Sequence, residues 1–137
     1  MCIRDSCYVA AFPIPEVIRE INTYYLGAKS VNPKVEIDII WVNTWYNPVK
    51  EGEAAKVLIT QGCDMVAQHT DSPSPLQVAQ KEGVFGFGQA SDQIKFAPKA
   101  QLTATIDDWG PYYIDSCLLY TSPSPRDLST SRMPSSA

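Results

Sequence analysis

Three apolar runs of strand length, Cys7–Phe12, Val35–Val42 and Asp64–Gln68, are separated by two stretches with helical period, and this spacing leaves few folds open. In the first stretch Val17, Ile21, Tyr24, Ala28 and Val31 recur at intervals of four, three, four and three, which places them on one helical face. Pro15 suits the first turn of that helix and Asn32-Pro33 stops it. The second stretch opens on Asn47-Pro48, an N-cap followed by proline at the first helical position, with Glu51 and Glu53 favouring the positive end of the helix dipole. Ala54, Ala55, Leu58 and Ile59 form its buried stripe, and Gly62 is its stop. Val35–Val42 is apolar on both faces, as expected of a strand covered on each side.

The pattern continues with a helix over Pro75–Glu82 ending at Gly83, strands over Val84–Phe87 and Gln101–Ile106, and a helical start over Trp109–Asp115. Strands joined by helices of this length form a parallel sheet with right-handed crossovers. The expected fold class is α/β, a doubly wound and mostly parallel sheet. A chain of 137 residues, 45% hydrophobic and 19% charged, can bury one such core. Its formal charge of −4 lacks the basic footprint that a nucleic-acid partner requires, and no apolar run reaches the length of a membrane span.

The ends read differently. Residues 117–137 contain 11 Ser, Thr or Pro and no Gly, the composition of a disordered tail. Cys117-Leu118-Leu119-Tyr120-Thr121-Ser122 can be written TGT CTC TTA TAC ACA TCT, whose reverse complement, read two bases in, encodes Met1-Cys2-Ile3-Arg4-Asp5 and begins the Ser6 codon. One DNA element in opposite orientations therefore flanks the insert, and it resembles a transposase-type sequencing adapter. The expected organisation is an adapter-derived segment over 1–6, a partial ligand-binding lobe over 7–115, and an adapter-derived tail over 116–137.

In open α/β sheets the ligand crevice lies beyond the carboxyl ends of the strands. The residues there are Phe12-Pro13, Asn43-Thr44-Trp45-Tyr46, His69-Thr70-Asp71-Ser72, Gln89-Ala90-Ser91-Asp92 and Asp107-Asp108-Trp109. Ala10 to Pro15 holds no glycine and no GxxxxGK[ST] occurs, which disfavours a phosphorylated cofactor; no cofactor is expected. His69, the one histidine, shares a loop with Asp71 and Ser72, whereas a nucleophile–base–acid relay needs side chains converging from separate elements. The expected role of this loop is to cap the next helix or to hydrogen-bond a ligand. Cys7, Cys63 and His69 are not spaced as metal ligands; four cysteines are too few for a disulfide scaffold, and Cys63 reads as a buried apolar side chain. Trp45 and Trp109 either close the core or stack on a ligand, and their shared edge favours stacking.

Tyr8-Val9-Ala10-Ala11-Phe12-Pro13-Ile14-Pro15-Glu16-Val17-Ile18-Arg19, Gly27-Ala28-Lys29-Ser30-Val31-Asn32-Pro33, Trp41-Val42-Asn43-Thr44-Trp45, Gln68-His69-Thr70-Asp71-Ser72-Pro73 and Asp108-Trp109-Gly110-Pro111-Tyr112-Tyr113 resemble the basic membrane protein family. These are substrate-binding lipoproteins of ABC transporters, similar to the purine nucleoside receptor. The resemblance implies one lobe of a type I periplasmic-binding fold. It also implies capture of a purine nucleobase or nucleoside for a membrane permease with no bond made or broken, and a location in the periplasm or lipid-anchored at the outer face of the plasma membrane. It further implies that Trp45 stacks on the base. Ala90 falls where nucleoside-binding relatives keep an aspartate, and Asp107 near a lysine they use, which favours a bare adenine-like base over its nucleoside. The ligand-binding residues expected are Phe12, Asn43, Trp45, Asp71, Ser72, Gln89, Asp92, Asp108 and Trp109. A sugar or other small polar ligand on the same fold is the alternative, and an enzyme on a doubly wound sheet carries less weight because it would need a convergent catalytic set.

Overall fold

The computed structural model describes residues 6–121, with side-chain surroundings through 117. Residues 1–5 and the tail beyond 121, both expected to be adapter-derived, lie outside the described residues. Two compact units divide the chain, the first ending at Ile106 and the second beginning at Asp107. In chain order the elements of the first are β1 (Ser6–Ala10), α1 (Pro15–Val31), β2 (Ile37–Trp41), α2 (Pro48–Gln61), β3 (Met65–His69), α3 (Ser74–Glu82), β4 (Phe85–Gly88) and β5 (Gln101–Ala104). The second holds α4 (Gly110–Thr121), and Trp109, just before it, clusters ring against ring with Tyr112 and Tyr113. Helix therefore runs through 116–121, where a disordered tail was expected.

All strand pairs are parallel, in the order β2-β1-β3-β4-β5. β1 is an interior strand paired on both sides, and alternation along it divides the core. Cys7 and Val9 join Ala54, Ala55, Leu58 and Leu76 on the side of α2 and α3, while Tyr8 and Ala10 join Val17 and Ile21 of α1. Ser6, the last residue of the expected adapter-derived segment, opens β1, pairs with Ile37 and Met65 and is buried.

Three expectations change. β2 is an edge strand with one neighbour, so Asp38 and Ile39 are exposed where coverage on both faces was expected. Val31, expected on the buried face, is 87% exposed as the last residue of α1. Cys63 is buried, but as half of a disulfide with Cys7, their Cα atoms 6.0 Å apart, within the span such a bond needs. Spacing hid that pairing, since 56 positions separate the two and register alone brings them together.

Asn47 Oδ1 accepts from Lys50 N, and the carboxyl of Glu51, itself fully buried, accepts from Asn47 N. This is a reciprocal cap at the start of α2. Glu51 Oε2 also accepts from the hydroxyl of Ser72, which ties α2 to the loop after β3.

Burial pushes the Tyr8 and Tyr24 phenols above their ordinary value of 10, and the charge of Glu20 adds to the effect at Tyr8. The folded chain therefore holds these protons to higher pH than the unfolded chain does. Stability should be complete below pH 10 and fall as pH rises beyond it. Tyr8→Phe should flatten that decline in urea titrations run across alkaline pH; an unchanged slope would remove Tyr8 from the account.

Candidate functional site

Connections from β1 lead to β2 on one side, and the chain then crosses to β3 on the other, so the loops after β1 and β3 diverge and leave a crevice at the carboxyl edge. Three rings meet there. Phe12 follows β1, Trp45 follows β2 and His69 ends β3; the Trp45 centroid lies 5.3 Å from that of Phe12 and 5.9 Å from that of His69, both tilted by 55°. Trp45 remains 39% exposed, so a face of the indole is open to a ligand.

Backbone hydrogen bonds join these loops to one another. Asn43 N donates to Ala11 O, and Asp71 N donates to Trp45 O at 2.8 Å, which ties the loop after β2 to the loops after β1 and β3. Asn43 takes the left-handed conformation at φ 52°, which asparagine tolerates better than most residues. Its side chain, two positions before Trp45, and that of Asp71, whose N–H meets Trp45 O, are exposed.

A cavity of about 600 Å³ runs between α1 and the strands, walled by Tyr8, Tyr24 and Phe87, with Glu20, Gln89 and Thr105 where the strands end. Glu20 was not foreseen. It sits on α1, yet its Oε2 lies 2.7 Å from His69 Nδ1 and 3.5 Å from Gln89 Nε2. Gln89 Oε1 accepts in turn from Thr105 Oγ1. A reading confined to strand ends misses this residue; its place three positions after Val17, on the flank of the buried stripe, was the available signal.

The expected residues thus divide. Phe12, Trp45 and Gln89 are brought to the crevice, while Ser72 is fully buried with its hydroxyl on Glu51. Asp92 Oδ1 accepts from Ile94 N and Gln101 Nε2, so it fastens the turn before β5. Buried Gln68 links the two loops, its Nε2 donating to Ser72 O and to Gln93 Oε1. Asp108 and Trp109 belong to the second unit, where Asp108 Oδ1 accepts from Gly110 N. His69, paired with Glu20, does not meet the Ser72 hydroxyl, which Glu51 takes. Among the described residues no group of three or more His, Cys, Asp or Glu is arranged to hold a metal ion.

Residues 4–123 match a family described as PnrA-like ABC transporter substrate-binding proteins. Over 108 residues the chain is 57% identical to a purine-binding protein of Brucella abortus, covering 79% of this chain and 31% of that protein. Over 106 residues it is 45% identical to a Haloferax volcanii protein provisionally named as an ABC transporter glucose-binding protein, covering 77% and 27%. The chain therefore spans about a third of the length of these relatives. Among solved structures, a solute-binding protein of an ABC transporter system from Conexibacter woesei superimposes with a TM-score of 0.71 at 21% identity, over 83% of this chain and 38% of that one. A solute-binding protein from Clostridium phytofermentans with bound β-D-glucose gives 0.51 at 16%, over 88% and 40%. At such identities these two show the fold alone, that of ABC solute-binding proteins.

Proposed function

The chain belongs to the PnrA-like family of ABC transporter substrate-binding proteins, and from that premise we propose that it is part of a receptor that captures a purine base or nucleoside outside the cytoplasm and hands it to a permease. The observation that carries this reading is the half-exposed indole of Trp45, held between Phe12 and His69 at the sheet's switch point. Flat bases stack well on such a face, and the polar groups around it can take their edges. The purine-binding name of the Brucella protein, at 57% identity, supports the same reading. Rings and hydrogen bonders with no convergent catalytic set suit binding without chemistry.

Within that reading a bare base is favoured over its nucleoside. Ala90, where the family resemblance implies an aspartate, presents only a methyl group, at φ 59°, so a ribose hydroxyl loses its carboxylate partner there. A sugar is the second reading, because the Haloferax relative is named for glucose and an indole face also serves a pyranose.

Titrations of adenine, adenosine and glucose, followed by NMR at the Trp45 indole N–H, separate these. The purines are expected to move that signal and glucose to leave it, with affinity for this chain weaker than micromolar. A ligand enclosed by two lobes loses about half its contacts on one, and each ~1.4 kcal/mol is a factor of ten. A shift with glucose and none with purines would overturn the purine reading. In a chain restored to the length of its relatives, Trp45→Ala should weaken purine binding by about 1–3 kcal/mol in calorimetry; unchanged affinity would remove the stacking role.

A further inference from the structure

The loops that carry the rings are not the only walls of this crevice. Glu20 comes from α1 to the edge of this crevice, where it meets His69 and Gln89. Its Oε2 lies 2.7 Å from Nδ1 of His69 at the end of β3, and 3.5 Å from Nε2 of Gln89 after β4. Gln89 is held by the Thr105 hydroxyl after β5. One imidazole ring separates Glu20 from the indole of Trp45. The Glu20 side chain is 39% exposed and lines the 600 Å³ cavity, so it faces open space as well as its partners. Its negative charge already acts on Tyr8 across that cavity.

We propose that Glu20 sets the charge rule of the site: it admits a flat ligand whose ring edge or attached hydroxyls donate hydrogen bonds, and refuses the phosphorylated form of the same ligand. This rests on the purine reading above and adds to it which purines enter. An ionised carboxyl has oxygens that accept and none that donate, so ligand donors are satisfied and lone pairs are not. A phosphate brings like charge into a part-buried crevice where water screens poorly, and repulsion of this kind excludes a competitor more sharply than a lost contact does. Asp71, exposed in the loop whose N–H is fixed by Trp45 O, adds a second carboxyl on the same edge. Arg19 also lines the cavity and is the cation that could reverse this preference. Its neighbour Glu20, turned about 100° around the helix from it, is the one in contact with His69 and Gln89.

The test uses the whole chain labelled with nitrogen-15, with the Trp45 indole signal identified by Trp45→Phe and titrated with adenosine and with adenosine 5′-monophosphate at equal concentration and ionic strength. Adenosine is expected to bind at least about fivefold more tightly than the monophosphate. Glu20→Gln should bring the two within about twofold, and Glu20→Asp, which keeps the charge, should preserve most of the difference. Thermal midpoints of both variants show that each is folded. Equal binding of the two ligands by the unchanged chain, tighter binding of the monophosphate, or a ratio unmoved by Glu20→Gln would each overturn the role of Glu20 while leaving purine binding in place. If neither ligand moves the Trp45 signal, the purine reading fails and the charge rule with it.

Discussion

Cys63→Ala is expected to lower the free energy of unfolding by about 4 kcal/mol, the entropy of closing a loop of this length in the unfolded chain. The bond spans 56 positions and joins the interior strand β1 to the turn before β3, so it encloses α1, β2 and α2 with most of β1. In a domain of this size that loss lowers the midpoint by about 15–30 °C. Thermal unfolding with and without reductant checks it twice, because reductant should bring the unchanged chain down to the variant and leave the variant where it is. Coincident curves throughout would show that the bond contributes nothing.

The second large effect belongs to Glu51→Ala. The carboxyl is fully buried and accepts from two donors, the Asn47 amide and the Ser72 hydroxyl. Deleting it leaves both donors without a partner and opens a small void, for a combined cost of about 3–5 kcal/mol. Glu51→Gln keeps the shape and one accepting oxygen and should cost less than about 1.5 kcal/mol. Urea denaturation of both variants decides the point; a Glu51→Ala protein as stable as the parent would mean that the cap and the loop hold without it. Because Ser72 sits beside Asp71 and Thr70, the same substitution should loosen the loop that carries His69.

Much of the fold was legible because it depends on local chemistry. Pro15 and Pro48 mark helix starts, Gly62 and Gly83 take the left-handed conformation that ends α2 and α3, and each strand expected is present within two residues at either end. Exposure was less legible. Ile37–Trp41 reads as a strand wherever it lies in a sheet, and that it lies at an edge follows only from the order of all five strands. The crevice showed the same division. Phe12 and Trp45 could be named because the strand-end rule needs nothing beyond strand positions, whereas Ser72 and Asp92 have polar side chains that the rule cannot tell from ligand contacts. Their partners, Glu51 and Gln101, come from elements 21 and 9 positions away and become visible only after packing. Glu20 was missed for the same reason in reverse, as a helix residue whose carboxyl reaches the loops.

Every ring of the crevice stands at or just beyond the end of a strand, and the core residues of the same strands stand before it: Tyr8, Val9 and Ala10 precede Phe12, and Val66 and Ala67 precede His69. Selection can therefore exchange what the loops present without repacking the interior, since a loop side chain and a core side chain share backbone but not neighbours. A lineage built this way can change its diet by a few substitutions at unchanged stability. That two relatives at 57% and 45% identity carry the names of a purine and of a sugar is what such a separation of duties would produce.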